Sequence, residues 1–359
     1  MKRFSENLVV VIMAGGAGTR FWPLSTEELP KQFLSLLGDK SLLRMSYERA
    51  ASLVPPERVL VLTNRRFTGL VKEQLPELPA SNVIGEPERK DTAAAVALAA
   101  AIARHRFGNP VILTLTADHL IEPLKEFQKA LLSAARAAEE TGALYTFGIM
   151  PSYPATGYGY LKRGESLLQE EGVRHFRLQT FKEKPDPETA SEYVASGDYY
   201  WNSGMFAWSA EAVIKEIETH LPEHARELLS IAAHEDTPEW DELLARAFAA
   251  LSPVSVDFGV MEKAAEVRCV ESNFSWSDVG GWAALADHLP ADEAGNCCRG
   301  EVLTLDAEGN LVFCEDGSET VLLVGVSDLV IVRAGDKTLV AKKDRAEELK
   351  KLVEGMKKS

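Results

Sequence analysis

Short apolar runs alternate with helical patterns through the first 150 residues of the chain. The apolar runs are rich in Val, Ile and Leu, which predicts buried strands at Leu8–Met13, Arg58–Leu62, Val111–Leu115 and Leu144–Ile149. Between them, the spacing of apolar residues predicts helices at Ser41–Ser52, Thr68–Gln74, Thr92–Arg106 and Leu124–Glu140. This alternation favours an α/β fold with a parallel sheet covered by helices on both faces. In such sheets, ligands bind beyond the carboxyl ends of the strands.

The pattern changes twice further along the chain. From about Pro151 to Trp282 it is irregular, with helices predicted at Ala210–Thr219, Glu223–His234 and Glu239–Ala250, and we expect this part to build a substrate wall on the same domain. The end of the chain predicts short strands separated by Gly and Asp turns, at Val302–Leu305, Leu311–Cys314, Val321–Val324, Leu329–Val332 and Thr338–Ala341. A final helix is predicted at Arg345–Met356. We therefore expect a catalytic domain at 1–288 and a small β module at 289–359.

Charge and composition limit the possible partners. The chain has 359 residues, 46% hydrophobic and 26% charged, as in ordinary globular proteins. Its formal net charge of -15 disfavours nucleic acid, because proteins that bind it need a basic face. Anionic substrates would need cations concentrated within the motifs. The Ala-rich run Thr92–Ala103 is too short to span a bilayer, so no membrane partner is expected.

The cysteines indicate a reducing compartment. No two of them are spaced as CxxC, which argues against a zinc site; they are Cys269, Cys297, Cys298 and Cys314. We expect free thiols and a cytoplasmic location.

A glycine-rich loop follows the first strand in VVVIMAGGAGTRFWPLS, residues 9–25. Gly15, Gly16 and Gly18 allow backbone N–H groups to face a phosphate without a Cβ in the way. The loop is not a dinucleotide fingerprint, because Phe21 stands in the place of the third glycine, and no P-loop string occurs. Arg20 and Lys31 could reach a triphosphate held there. The alternative is a surface turn with two solvated cations.

Two aspartates are candidate Mg²⁺ ligands. Asp118 ends the apolar run VILTLTADH, and Asp278 lies in the Trp- and Gly-rich turn FSWSDVGGW. Mg²⁺ commonly takes one or two carboxylates and completes its shell with phosphate oxygens and water. The alternative is that Asp118 caps the next turn, Asp278 is a turn residue and neither binds metal. We expect His119 to be structural.

Several motifs carry residues suited to a phosphorylated sugar. A carboxylate can accept sugar hydroxyls, an ammonium can balance a phosphate, and an amide can both donate and accept. Such groups occur in FKEKP (Glu183, Lys184), YYWNSGMF (Asn202) and SVDFGVMEK (Asp257). In TGYGYL, Gly157 and Gly159 would allow close approach of the backbone, with Tyr158 and Tyr160 as walls. The alternative for FKEKP is an exposed, charged strand end. We assign Tyr199, Tyr200 and Trp201 mainly to packing.

A charged loop enters the Ala-rich helix in GEPERKDTAAAVALAAA, residues 85–101. Asp91 or Thr92 is the expected N-cap. Helix entries of this kind offer backbone N–H groups to a ligand.

Taken together, these motifs resemble the sugar-1-phosphate nucleotidyltransferase family. AGGAGTRFWPLS with PKQF carries the resemblance, FWPLS is similar to the branch that uses GTP and mannose-1-phosphate, and the similarity runs from about Val9 to Ala341. It implies a Rossmann-like domain with a mixed, mainly parallel sheet, followed by a short left-handed β-helix. It also implies transfer of GMP from GTP to mannose-1-phosphate with Mg²⁺, giving GDP-mannose and pyrophosphate, in a homodimer.

The resemblance assigns roles residue by residue. It implies catalytic roles for Arg20, Lys31, Asp118, Lys184 and Asp278, of which Asp118 and Asp278 would bind metal. It implies nucleotide binding by Gly15, Gly16, Gly18, Thr19, Glu86, Lys90 and Thr92, and sugar binding by Gly157, Glu183, Asn202 and Asp257. The resemblance also implies that the loop before the Ala-rich helix, called the base loop below, reaches the guanine base. The family often reads Arg-Asn-Thr there, where this chain has Lys90-Asp91-Thr92. Asp91 can accept from a guanine N–H as Asn does, but its charge is less favourable near phosphates.

Other functions remain open at this point. The same chemistry could use glucose-1-phosphate with UTP or dTTP, although Trp-Pro-Leu-Ser and Trp-Asn-Ser-Gly disfavour that pair. A catalytically silent regulatory subunit that binds nucleotide sugar is the second alternative, and the intact cations and aspartates argue against it. A bifunctional enzyme with phosphomannose isomerase activity is the third, and we expect one activity, since no His- or Glu-rich metal cluster is evident.

Overall fold

Two compact units make up this computed structural model, which describes residues 6–16 and 19–356. Unit 1 comprises Met1–Gly15, Ser46–Ala117 and Ile121–Trp276, and unit 2 comprises Gly16–Met45, Asp118–Leu120 and Ser277–Ser359. The units therefore do not follow one cut along the chain. The sequence-domain boundary near Leu289 stays a prediction.

The strands of the first 277 residues lie close to the predicted positions where the apolar runs are strong. In chain order they are β1 (Leu8–Met13), β2 (Val59–Asn64), β3 (Val83–Glu86), β4 (Val111–Thr116), β5 (Leu120–Glu122), β6 (Leu144–Ile149), β7 (Tyr160–Glu170), β8 (Val173–Lys182), β9 (Tyr199–Ser209), β10 (Val267–Glu271) and β11 (Ser275–Ser277). The stretch from Pro151 to Trp282, predicted to be irregular, contributes β7 to β11. That part of the prediction is wrong, because these strands are aromatic or charged and lack an alternating apolar pattern.

Unit 1 is built on one mixed sheet. Among the described residues it has nine strands in the order β3-β2-β1-β4-β9-β6-β10-β8-β7. The pairs β3–β2, β2–β1, β1–β4 and β6–β10 are parallel, and β9 and β8 run antiparallel to their neighbours. Seven of the nine strands, all except β9 and β8, therefore run in the same direction, so the sheet is mixed and mainly parallel in strand direction, as expected.

Helices of unit 1 supply much of the core of this sheet, and unit 2 has helices of its own. The α-helices are α1 (Leu42–Ala51), α2 (Thr68–Gln74), α3 (Asp91–Phe107), α4 (Leu124–Thr141), α5 (Pro187–Ser196), α6 (Ala210–His220), α7 (Pro222–Leu228), α8 (Trp240–Ala250), α9 (Trp282–Ala286) and α10 (Leu349–Met356). In α3, every residue from Ala93 to Ala103 is buried. Alanine allows close packing around the whole helix, and Val9, Val11 and Leu60 of the sheet share its core cluster. No helix in the described part of the chain is long and apolar enough to cross a membrane.

The C-terminal part of unit 2 stacks short strands in parallel. They are β12 (Cys297–Arg299), β13 (Glu301–Leu305), β14 (Leu311–Cys314), β15 (Thr320–Val324), β16 (Leu329–Ala334) and β17 (Lys337–Lys342). β12, β14 and β16 form one parallel ladder and β13 and β15 another, while β17 closes the first as a hairpin with β16. Stacking successive strands in parallel is the arrangement of a β-helix, so the predicted β module is confirmed.

The final helix is shorter than predicted. A 3₁₀ segment, Lys343–Glu348, precedes α10, so the predicted helix over Arg345–Met356 is α-helical only from Leu349. Leu349 and Val353 are four residues apart and pack in the same cluster as Phe21 and Trp282.

Candidate active site

A cavity of about 320 Å³ in unit 2 collects most of the residues that the sequence assigns to phosphate and metal. It is lined by Arg20, Lys31, Asp118, His119, Asp278, Gly280 and Lys350. Four of the five predicted catalytic residues therefore lie together. Cationic side chains are thus concentrated at this cavity, although the net charge of the chain is -15.

Lys31 joins the two predicted metal ligands. It opens a 3₁₀ turn, Lys31–Phe33, directly after Pro30, and is only 8% exposed. Its Nζ lies 2.9 Å from Asp118 Oδ2 and also donates to the backbone carbonyl of Asp278. Burial of an ammonium is costly unless it is paired, and Asp118 supplies that pairing.

The same ion pair keeps Asp118 ionised. Burial raises the pKa of this carboxyl, but the charges of Lys31 and His119 outweigh that effect, so its pKa lies below the ordinary value. His119 Nε2 is 3.8 Å from Asp118 Oδ1. The expectation that His119 is only structural is therefore incomplete, because it lines the cavity and acts on a candidate ligand.

Arg20 and Asp278 flank Gly280. A Cβ on Gly280 would lie 3.4 Å from both carboxylate oxygens of Asp278 and 3.7 Å from an Arg20 guanidinium nitrogen. The adjacent Val279 adopts a positive φ of 43°, which is unusual for a β-branched residue, and is fully buried. Backbone strain of this kind persists where the surrounding packing holds it, and Asp278, which lines the cavity, directly precedes this residue.

The carboxylates fit a magnesium ion. Among the residues that the structure describes, no cluster of three or more His, Cys, Asp or Glu could hold a metal. A donor set of two carboxylates on a cavity lined by cations matches Mg²⁺, which keeps water and phosphate oxygens as its other ligands. Asp118 and Asp278 would be the protein ligands.

The glycine-rich loop is described only in part. The Ala14 carbonyl accepts from Thr63 Oγ1 at 3.0 Å, and the Ala14 N–H donates to Leu62 O, so β2 fixes the end of β1. Gly15 and Gly16 are exposed, and Gly16 has a φ of 109°, which a residue with a side chain rarely adopts. The predicted roles of Gly18 and of the Thr19 side chain fall outside the described residues.

The predicted sugar residues assemble within unit 1 around Glu183. Its side chain is 10% exposed, and its Oε1 lies 2.9 Å from Lys184 Nζ. Its Oε2 is buried with no hydrogen-bond partner. An unpartnered buried carboxylate oxygen is unfavourable in the unliganded protein, so it marks a place for a hydroxyl donor.

Local backbone geometry brings Lys184 to Glu183. Consecutive strand residues normally point to opposite faces, but Lys184 has a φ of 46° and stands just after β8. Burial lowers the pKa of Lys184, whereas Glu183, Asp257 and Asp91 raise it, and the result is a pKa above the ordinary value. Its ammonium is therefore charged at neutral pH. Asp91, one of the residues that depart from the family pattern, is therefore among the charges that raise the pKa of Lys184.

Gly159 makes the tightest approach to this set. A Cβ there would lie 2.3 Å from Glu183 Oε2 and 3.2 Å from Asn202 Cβ, and the Gly159 carbonyl accepts from Asn202 N at 2.7 Å. A Cβ on Gly157, the glycine assigned to sugar binding, would meet nothing within 4 Å. Gly157 therefore faces open space, which leaves room for a ligand.

A chain of hydrogen bonds orients Asn202. Thr146 Oγ1 donates to Asn202 Oδ1 at 2.9 Å, and Asn202 Nδ2 donates to Asp257 Oδ1 at 2.8 Å. Burial, together with the charge of Glu183, raises the pKa of Asp257 to about 7. Glu183, Asn202 and Asp257 thus form one polar set, with Thr146 behind it.

The base loop differs from its predicted form. α3 begins at Asp91, Lys90 makes no side-chain cap, and Asp91 has a φ of 63°. The predicted N-cap at Asp91 or Thr92 is not observed, because the position before the helix is Lys90. Asp91 Oδ1 accepts from the adjacent Thr92 N at 2.8 Å, and Thr92 Oγ1 accepts from Val256 N at 2.9 Å. Lys90 Nζ pairs with Glu88 at 3.2 Å. Burial raises the pKa of Glu86 to about 8.

Other aromatic and cysteine residues behave as predicted or nearly so. Tyr199 stacks on Tyr193 at 3.9 Å, and Trp201 packs edge-on against Tyr153 and Tyr158. The four cysteines are free, three of them buried and Cys298 exposed. The sequence motifs gave no reason to select Thr146, Gly280 or Lys350, because each stands outside the recognised strings or looks ordinary within its element.

Comparisons with known proteins show which family the chain belongs to. The family profile described as "Nucleotidyl transferase" matches residues 9–295, and the profile described as "MannoseP isomerase/GMP-like beta-helix domain" matches residues 300–356. The chain is 40% identical over 358 residues to "Mannose-1-phosphate guanylyltransferase" of Escherichia coli, covering 98% of this chain and 74% of that protein. It is 38% identical over 355 residues to "Xanthan biosynthesis protein XanB" of Xanthomonas campestris pv. campestris, with coverage of 98% and 74%.

A solved structure extends the likeness to the fold. It is described as mannose-1-phosphate geranyltransferase from Thermus thermophilus, with a TM-score of 0.87, 35% identity, and coverage of 98% of this chain and 99% of that chain. The chain belongs to the nucleotidyl transferase family of enzymes. Within it, the named relatives at 38–40% identity include several mannose-1-phosphate guanylyltransferases, as the sequence motifs predict.

Proposed function

We propose that this chain transfers GMP from GTP to mannose-1-phosphate and releases pyrophosphate. The unpartnered Glu183 Oε2 carries the sugar half of the proposal, because it needs a hydroxyl donor beside the cationic Lys184. The choice of mannose-1-phosphate and of a guanine nucleotide rests on the relatives named for that activity.

The reaction is a displacement at the α-phosphorus of the nucleotide by a phosphate oxygen of the sugar phosphate. That oxygen is ionised at neutral pH, so the step requires no general base. The remaining difficulty is to bring two anions together, and positioning and charge neutralisation supply most of the rate in related phosphoryl chemistry. The cations and hydrogen-bonding groups described above are suited to that task.

Each part of the chain has a defined role in this proposal. Arg20 and Lys31 bind the triphosphate and the leaving pyrophosphate, and Lys184 binds the phosphate of the sugar. Glu183, Asn202 and Asp257 bind sugar hydroxyls, with Gly157 leaving room for the ring. Asp118 and Asp278 hold Mg²⁺, which supplies charge neutralisation to phosphate oxygens.

The nucleotide base is assigned to the segment from Glu86 to Thr92. We assign phosphate binding to the backbone of Gly15 and Gly16, and the sequence motif assigns Gly18 and Thr19 to the same role. Lys90 is held by Glu88, so we assign it to shaping the base loop together with Thr92, and not to the phosphates.

A direct test is pyrophosphate release with Mg²⁺ and mannose-1-phosphate, with GTP, ATP, UTP and dTTP supplied one at a time. The proposal predicts strong preference for GTP and no release when mannose-1-phosphate or Mg²⁺ is omitted. Equal use of the four nucleotides would refute the guanine assignment. No release with any of them, including with glucose-1-phosphate, would refute catalysis and favour a silent binding subunit.

We also propose that two copies pair through the β module. Leu303, Leu305, Leu322 and Val324 are 58–67% exposed, and they lie side by side because Leu303 pairs with Leu322 and Leu305 with Val324. A contiguous apolar strip of this kind marks an interaction surface, and a second copy would cover it with an identical strip. Light scattering should give a dimer for the protein and a monomer for Leu322→Lys; a monomer in both cases would contradict the pairing.

A further inference from the structure

The cavity of about 320 Å³ that is assigned to the phosphates is lined by one cation that no sequence motif supplies. Lys350, in the first turn of α10, lines the cavity together with Arg20, Lys31, Asp118 and Asp278. A second, adjoining cavity shares Arg20, Gly280 and Lys350 with the first. The end of the β module thus reaches the residues assigned to the triphosphate.

The position of Lys350 is set by packing. Its neighbour Leu349 and the residue one turn later, Val353, are each 7% exposed. Both belong to the core cluster that contains Phe21 and Trp282, and Phe21 directly follows Arg20 in the 3₁₀ turn Thr19–Phe21. The apolar face of α10 therefore holds Lys350 against the same piece of structure that carries Arg20.

Charge gives Lys350 a distinct importance. Arg20 and Lys31 line the cavity together with the carboxylates of Asp118 and Asp278, and Lys350 is a third cation on the same lining. Glu347 lines only the second cavity. A polyphosphate that enters a protein of net charge -15 needs such a local concentration of cations.

We propose that Lys350 is a further substrate-binding residue, whose ammonium contacts the phosphates of the nucleotide that leave as pyrophosphate. This inference rests on the proposed function and deepens it. It makes the C-terminal helix part of the nucleotide site, and not only a support for the β module. Lysine suits this role because its ammonium acts as a mobile point charge on phosphate oxygens.

The test is calorimetric titration of inorganic pyrophosphate with Mg²⁺ into the full chain and three variants. Lys350→Ala should weaken pyrophosphate binding about tenfold, with a larger loss at low ionic strength, because the interaction is between charges. Lys350→Arg should restore most of the binding. Lys351→Ala is the matched control: Lys351 is the next residue, its side chain is 78% exposed and it pairs with Glu348, so its loss should leave binding unchanged.

Steady-state kinetics should show an effect on the nucleotide and not on the sugar phosphate. Lys350→Ala should raise the KM for the nucleotide and weaken product inhibition by pyrophosphate, while the KM for mannose-1-phosphate stays the same. If Lys350→Ala binds pyrophosphate as the parent protein does, or if Lys351→Ala weakens binding equally, the inference is overturned while the proposed function stands. If the parent protein neither binds pyrophosphate nor releases it from any nucleotide, the proposed function fails and the role of Lys350 fails with it.

Discussion

Removing the Thr146 hydroxyl should weaken sugar binding without disturbing the fold. Thr146 is fully buried on β6, and its hydroxyl also lies 3.2 Å from the carbonyl of Met205. Asn202 Oδ1 accepts from Thr146 and, at 3.3 Å, from the Gly204 N–H. With donors on Oδ1, the NH₂ group of Asn202 must face Asp257. Thr146→Val keeps the shape of the side chain and removes the nearer of the two donors.

The expected rise in KM depends on the one hydrogen bond that Asn202 Oδ1 keeps in the variant. Losing a hydrogen bond that leaves a buried acceptor costs about 1–3 kcal/mol, and the surviving Gly204 N–H places this case at the lower end, about 1 kcal/mol. At 1.4 kcal/mol for each factor of ten, the KM for mannose-1-phosphate should rise about fivefold. Because the sugar contacts persist through the reaction, kcat should change little.

The assay is steady-state kinetics with mannose-1-phosphate varied at saturating GTP. Thr63→Val is the control, since it removes a fully buried hydroxyl from the same sheet whose partner is Ala14 O and not Asn202. It should leave the KM for mannose-1-phosphate unchanged. A folded Thr146→Val protein with an unchanged KM would refute the idea that Thr146 orients Asn202.

Three further predictions test other parts of the site. Asp118→Asn should lower Mg²⁺-dependent turnover by at least about 10²–10³-fold, as removal of one charge-stabilising group does elsewhere, with an unchanged circular dichroism spectrum; near-normal rates would remove Asp118 from the metal site. Gly159→Ala should displace Glu183 and raise the KM for mannose-1-phosphate more than Gly157→Ala does, because only the Cβ at position 159 meets protein atoms; equal effects would contradict this packing. Asp257 has a raised pKa of about 7, so the folded protein retains a proton that the unfolded chain releases near its ordinary pKa of 3.8. The free energy of unfolding should therefore fall as pH rises from about 4 to 7, and Asp257→Asn should flatten that slope in denaturant titrations. An unaltered slope would mean that Asp257 has an ordinary pKa.

How far the sequence predicts this molecule depends on the signal in each segment. β1, β2, β4 and β6 were predictable because each is rich in apolar residues and almost wholly buried, as strands of parallel sheets are. β9 was not, since Tyr199–Ser209 mixes aromatic and polar residues and contains Gly204. Its residues take their positions from the flanking strands β4 and β6, which are distant in the sequence.

The site residues also differ in how much local sequence pattern they carry. Arg20, Lys31, Asp118 and Asp278 were found through short motifs whose residue types suit phosphate and metal, and they line one cavity. Thr146 and Lys350 could not be found in that way, because a threonine in a buried strand and a lysine in a terminal helix have no distinguishing local pattern. The N-cap predicted at Thr92 fails for a physical reason too: Thr92 Oγ1 accepts from the N–H of Val256, a partner 164 residues away.

The central claim is that the sugar phosphate attacks the α-phosphorus of the nucleotide, and an isotope experiment tests it most directly. Mannose-1-phosphate labelled with oxygen-18 in its phosphoryl oxygens is incubated with unlabelled GTP, Mg²⁺ and the protein, and both products are analysed by mass spectrometry. The account predicts that the full label is retained in GDP-mannose and that pyrophosphate carries none. Label in the released pyrophosphate, or release of pyrophosphate without a labelled nucleotide sugar, would contradict it.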